Sequence, residues 1–384
     1  MALDFIYIPL IIALGMAFIG LFKKELKPSN YQALQYLFFF HLLIGAYYCF
    51  FIPGDAIGYW RVPKNYSFET FTEGIFNGEG TAFMMALNFP FTNLLGMSYL
   101  SNTLLYSLFG FMGMTYFYMV AVKTIPYTRL INGYALFPLL FFLPNLHIWS
   151  VAVGKDSILF MCIGMFAYGV MQPFKRIPLL AISLLLALAI RPHMLLFLFV
   201  GFGMAYVFGG KVSGFQRILF SVIMIGAGIA ILPSVMEYAK IEEASVEGFQ
   251  EFSEYKVGVL SRSHTGSAID ISSYPFPLKV LTFWFRPLFF DVHNVNTLLA
   301  SVENLVILVL FIKAMMLKPL RAFKAAPFVI KGLVIFLIVG TLAFSQSLGN
   351  LGIMIRMRNM FLPGMIIFIL WVFSYHYQTR KAKR

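Results

Sequence analysis

Five cationic side chains stand at the ends of apolar runs: Lys155 in WSVAVGKDS, Arg191 in AIRPHM, Arg286 in FWFRPLF, and Arg356 with Arg358 in GIMIRMRNMFLPG. A Lys or Arg in a bilayer costs about 2.5–3.5 kcal/mol at a helix centre and less near an end, so each needs a compensating interaction. Taken singly, each can snorkel to headgroups or pair with an acid such as Asp156 or Asp291. Taken together, they can converge on an anionic ligand, because guanidinium forks match phosphate oxygens bidentately. Arg356 and Arg358 are two residues apart, about 200° on a regular helix. Both serve one site only where the backbone is extended or bent, as Gly349, Asn350 and Gly352 permit.

Groups able to move a proton are few. Asp55, in PGDAIGYW, has Tyr59 and Trp60 beside it, rings of the kind that stack on sugars; its plain alternative is a Gly-Asp turn residue. His193 follows the helix-ending Pro192, where imidazole can accept a hydroxyl proton near neutral pH; a lone interfacial His is more often structural. His293, beside Asp291, could be a base oriented by that acid, and His264 in SRSHTGS is a weaker candidate of the same type. Glu69, Glu73 and Glu79 read as solvated loop charges. No metal-ligand spacing, nucleophile elbow, phosphate-cradling glycine loop or nucleotide fingerprint occurs. The expectation is therefore a site without metal or cofactor, and without an activated sugar nucleotide as donor.

The elements that must position these residues are membrane helices. Hydrophobic residues make up 60% of the chain and 44 residues are Phe, a composition that a soluble domain cannot hide. Eleven apolar runs of spanning length are expected at 4–22, 34–52, 98–121, 134–151, 157–172, 177–190, 194–209, 215–236, 296–316, 327–347 and 360–377. Placing the N-terminus outside and the C-terminus in the cytoplasm puts 18 of the 29 Lys and Arg residues in cytoplasmic links and 14 of the 16 acids on the outer side, as the positive-inside rule asks. The net charge of +13 then faces anionic headgroups, and nucleic acid is not an expected partner. Cys49 and Cys162 fall inside expected spans, so no disulfide framework follows. No basic leader precedes the first run, which reads as a retained helix.

A single polytopic domain, residues 1–384, follows, with two outer-face excursions at 53–97 and 237–295. The first reads as short interfacial helices anchored by Tyr59, Trp60, Phe68 and Phe71. The second runs from an acidic amphipathic stretch through the loop SRSHTGSAIDISSYPFP to LKVLTFWFRPLFF, a short segment interrupted by Arg286-Pro287 and expected to be re-entrant or interfacial. No internal repeat is visible, against an inverted-repeat transporter. An outer-face membrane site rich in Arg and flanked by aromatics suggests a lipid-linked phosphate substrate.

Taken in order, GDAIGYW, HIWSVAVGKDSILF, IRPHM, SRSHTGSAIDISSYPFP, FWFRP and RMRNMFLPG give the chain a pattern that resembles bacterial exopolysaccharide and O-antigen polymerases, EpsG-like and Wzy-like members included. The resemblance implies an all-α glycosyltransferase of the GT-C kind in the inner membrane, using a polyprenyl-pyrophosphate-linked oligosaccharide without metal. It assigns Arg191, Arg286, Arg356 and Arg358 to the pyrophosphate and Asp55 or His193 to the base; the residues themselves add Lys155, Tyr59 and Trp60 to the expected substrate-binding set. Other polysaccharide-assembly proteins are implied partners beside the membrane lipids. The large outer loop typical of Wzy-like proteins is here 237–295, and its flexible part carries only Arg262 and His264. A glycan ligase shares the donor and differs in the acceptor. A flippase for the same lipid would carry its cations along a path through the bilayer, and a structural assembly subunit would not need them.

Overall fold

Proline punctuates this chain. It lacks an N–H and suits a helix's first turn, and it biases the residue before it away from the helical region. Arg191, before Pro192, is extended at φ −152° and ψ 89°; Arg286, before Pro287, stands at φ −95° and ψ 152°. Each Arg-Pro step ends one helix and leaves its guanidinium at the break.

The computed structural model describes residues 3–52, 54–127, 129–131, 134–209, 214–239, 245–261 and 267–381. Arg262 and His264 lie outside them. The chain forms two units, Met1–Lys123 with Phe137–Arg191 and Thr124–Leu136 with Pro192–Arg384.

The first unit carries α1 (Asp4–Gly20), α2 (Pro28–Phe51), the short α3 (Ala56–Arg61), α4 (Phe68–Phe76) and α5 (Thr81–Phe89), then α6 (Tyr99–Thr124), the one-turn α7 (Leu136–Leu139) and α8 (Pro144–Ile148), and α9 (Lys155–Gly169) with α10 (Ile177–Ile190). At its centre is α9, buried at every position from Asp156 to Gly169, as a helix apolar all round should be. Glycine lets it approach α6: a Cβ on Gly113 would come within 2.7 Å of the Met161 Cα, and one on Gly164 would come within 2.9 Å of the Gly113 Cα. Such small-residue contacts are how helices pack where no hydrophobic effect drives them together. Two amide and imidazole pairs join elements inside this unit. Asn88 and Asn102 exchange hydrogen bonds of 3.0 and 3.1 Å, and the His41 and His147 Nδ1 atoms lie 2.7 Å apart.

The second unit has one short antiparallel ribbon, Arg129–Ile131 with Tyr134–Ala135. Its helices are α11 (Pro192–Gly209), α12 (Gly214–Ala239), α13 (Val246–Ser261), α14 (Phe276–Phe285), α15 (Val295–Met315), α16 (Pro319–Ala325), α17 (Phe328–Ser347), α18 (Leu351–Arg358) and α19 (Leu362–Lys381). Here α11 and α17 run side by side, with Gly201 against Phe336 and Gly332 against Phe202. The Phe361 ring lies tilted against Phe336 and Phe344, at 4.7 and 6.0 Å between centroids. The Trp284 indole donates to the Thr341 hydroxyl at 2.8 Å, tying α14 to α17.

By length and composition, α2, α6, α15 and α17 can each cross a membrane; α18 and α19, bent by 62°, make a fifth if counted as one span. The described residues are almost all helical, with four or five helices that could cross a membrane, and the expected count of eleven spans is not supported. One of those runs, 134–151, is corrected outright. Phe137 is extended inside α7 at φ −95° and ψ 129°, Leu140–Phe142 is a 3-10 turn, and α8 lasts five residues. Pro138 and Pro144 remove the donors that a continuous helix needs. Several other runs are helices shorter than a bilayer: α1 has 17 residues and α10 has 14.

Candidate functional site

In the first unit, the loop entering α9 gathers several of the expected residues. Gly154 holds φ 147°, a conformation that an L side chain rarely adopts. A Cβ there would lie 3.1 Å from the Tyr59 ring. Lys155 and Asp156 follow as the first residues of α9, where the helix dipole favours the acid. The Asp156 carboxylate takes a 2.9 Å ion pair from Arg191, with both side chains buried. Ala189, two residues before Arg191, accepts from the Gly80 amide at the start of α5. The α9 entry, the α10 end and Tyr59 of α3 are thus joined.

The rest of the first excursion forms the short helices the sequence predicts, but its aromatics divide. Tyr59 is 7% exposed, so it is no headgroup anchor: its ring is packed on protein at Gly154, and its carbonyl accepts from Asn88 at 2.9 Å. Trp60 donates its indole N–H to the Met97 carbonyl at 3.0 Å, lies 5.5 Å from Tyr99, and carries the Lys64 ammonium 3.3 Å above its ring, a cation–π geometry. Burial and the neighbouring Arg61 lower the pKa of Lys64. Phe71 stacks on Phe89 at 5.0 Å, and Phe68 is exposed. Asp55 is exposed at the start of α3, its carbonyl accepting from the Gly58 and Tyr59 amides.

In the second unit, α14 ends at the other Arg-Pro step. The Asp291 carboxylate receives Arg286 Nε at 3.1 Å and Nη2 at 2.5 Å, and also the Leu288 amide at 2.8 Å. This fork, with Tyr274 adding a long 3.4 Å contact, raises the Arg286 pKa chiefly through the Asp291 bonds. The Arg286 side chain keeps 19% of its surface. Arg358 lies deeper, 2% exposed. Its Nη1 donates to the carbonyls of Trp284 at 2.5 Å, Arg286 at 3.1 Å and Phe283 at 3.4 Å, and its Nη2 donates to the Asn304 side chain. Asn304 in turn donates to the Pro287 carbonyl at 2.7 Å. The last carbonyls of a helix lack partners within it, and Arg358 supplies them for α14, with Glu303, buried in the same helix as Asn304, attracting the charge.

Arg356 and Arg358 occupy the last turn of the regular α18, which Asn350 caps by accepting from the Ile353 amide. The backbone is not extended between them, so they leave the helix in different directions. His193 begins α11 with Phe197 and Phe344 at 5.8 and 5.9 Å. His293 is corrected: its Nδ1 lies 3.0 Å from the Asp291 backbone carbonyl, while the carboxylate that was to orient it is committed to Arg286.

The pairings Arg191–Asp156 and Arg286–Asp291 are thus those the sequence offered for single cations. Sequence reasoning missed Asn304 and the carbonyl cluster on Arg358, and the Asn88–Asn102 and His41–His147 pairs. The signal available was an amide or imidazole inside an apolar run, costly unless matched. Among the described residues, no group of three or more His, Cys, Asp or Glu could hold a metal ion. No protein-family model, curated protein or solved structure matches this chain.

Proposed function

We propose that this protein is a membrane glycosyltransferase that polymerises lipid-linked oligosaccharides on the outer face of a bacterial inner membrane, with the N-terminus outside and the C-terminus in the cytoplasm. The donor is a polyprenyl-pyrophosphate glycan. A ligase acting on the same donor shares every binding feature and differs in its acceptor.

The observation that supports the reading most is Arg286. A guanidinium has five N–H donors; two go to Asp291 and a third makes only the long Tyr274 contact. The Asp291 bonds fix the plane of the fork, and the remaining donors suit a phosphate oxygen. Charge builds on the departing pyrophosphate as the anomeric carbon is attacked, and a fixed cation there contributes several kcal/mol, by analogy with single electrostatic donors worth about 2.7–4 kcal/mol elsewhere. Arg356 adds positive charge in the same unit, and Lys155 and Arg191 do so within the first unit. Asp55, exposed at the start of α3, is the base candidate of the first unit and His193 that of the second; a positioned base is worth about 10²- to 10⁴-fold.

The test is the full chain in proteoliposomes with a polyprenyl-pyrophosphate oligosaccharide, reading chain extension by gel. Arg286→Lys, which keeps the charge and loses the fork, should cut extension at least tenfold, and Asp55→Asn should do so while leaving donor binding intact. Wild-type extension by both variants would end this reading. Movement of the glycan lipid across the bilayer without extension would favour the flippase.

A further inference from the structure

A second cationic place lies away from the residues considered so far. Where α11 ends and α17 begins, a cavity of about 170 Å³ opens, bordered by Met204, Gly209, Phe323, Lys324, Lys331 and Ile335. Lys331 lies across the end of α11: a Cβ on Gly209 would stand 3.0 Å from its Cδ and 3.4 Å from its Nζ. No described carboxylate pairs with Lys324 or Lys331. The reason is written in the sequence. After Glu303 no Asp or Glu occurs, while eleven Lys and Arg residues do. Two ammonium groups share one small cavity, and this end of the chain holds no acid to neutralise them.

The walls say what kind of anion fits. Met204 is 42% exposed and lies within the apolar α11, and Ile335 lies one turn beyond Lys331 in α17, a helix that can cross a membrane. Cations at the end of a spanning helix with apolar side chains just beyond them reproduce the order of a lipid, phosphate first and acyl chain next. The volume is below the roughly 300–1,000 Å³ of pockets that enclose a whole small molecule. It suits a headgroup whose tails stay outside.

We propose that this cavity binds the phosphodiester headgroup of an anionic phospholipid, with Lys324 and Lys331 as its cationic contacts. The inference rests on the membrane character of the chain and not on the polymerase reading; its test contains no glycan substrate, so the two stand or fall separately.

The full chain, stripped of lipid in neutral detergent, is titrated with phosphatidylglycerol, phosphatidylcholine or inorganic phosphate, and bound lipid is counted by native mass spectrometry. Phosphatidylglycerol should be retained over phosphatidylcholine. Lys324→Gln and Lys331→Gln should each weaken retention about fivefold. Gly209→Val, which fills the cavity and keeps the charge, should weaken it comparably. Arg380→Gln, which removes one charge elsewhere, should leave it unchanged. Only monodisperse variants are compared. Retention unaffected by the lysine and glycine substitutions, equal loss in Arg380→Gln, or competition by inorganic phosphate at the same concentration as the lipid would each overturn the proposal.

Discussion

Removing the Arg358 guanidinium strands several acceptors at once: the Phe283, Trp284 and Arg286 carbonyls and the Asn304 amide oxygen. Unpaired buried polar groups cost about 1–3 kcal/mol each, so Arg358→Met should lower stability by at least about 3 kcal/mol, read as the unfolding midpoint in mild detergent. The Arg191–Asp156 pair answers a different question. Losing one partner of a buried ion pair costs about 3–5 kcal/mol, whereas replacing both with apolar residues is often neutral. Arg191→Met and Asp156→Leu should therefore each destabilise the protein, and the double variant should recover most of the loss. If the double variant is stable yet extends no glycan, Arg191 serves the substrate; if it extends normally, the pair is purely structural.

In the first unit, Gly113 and Gly164 set how closely α6 and α9 approach. Gly164→Val would drive methyl groups into the backbone of α6 at Gly113, and overpacking of this kind costs about 1–3 kcal/mol or more; the unfolding midpoint should fall without loss of helical circular dichroism. Much at this scale was legible in the sequence. The Arg-Pro steps that end α10 and α14 are visible as written, and Asp156 and Asp291 were nameable as partners because acids are so scarce near these runs. The break-up of 134–151 was also signalled, by Pro138 and Pro144, but uniform hydropathy across LFPLLFFLPNLHIW masks a change of backbone. The acceptors of Arg358 were not legible, because main-chain carbonyls more than seventy residues away carry no side-chain signature.

For the molecule as a whole, the distribution of charge makes a prediction about sidedness. In a chain whose Cys49 and Cys162 are replaced by Ser, a cysteine at Glu69 should react with an impermeant maleimide in intact cells. One at Lys324 should react only after permeabilisation. The opposite pattern would invert the positive-inside assignment.

The helix α10 is pinned at both ends. Arg176 before it donates to the Tyr168 carbonyl at 2.5 Å and lies 3.5 Å over that ring; Arg191 after it is held by Asp156. Its 14 residues reach about 21 Å, against a hydrocarbon thickness of about 30 Å. Leu185 and Ile182 are exposed, so a span built on α10 would offer acyl chains a segment too short for them. A membrane crossed by α10 would have to thin there. This hydrophobic mismatch favours a protein that unfolds at higher temperature in short-chain than in long-chain phosphatidylcholine, and that sorts into thin patches of its membrane.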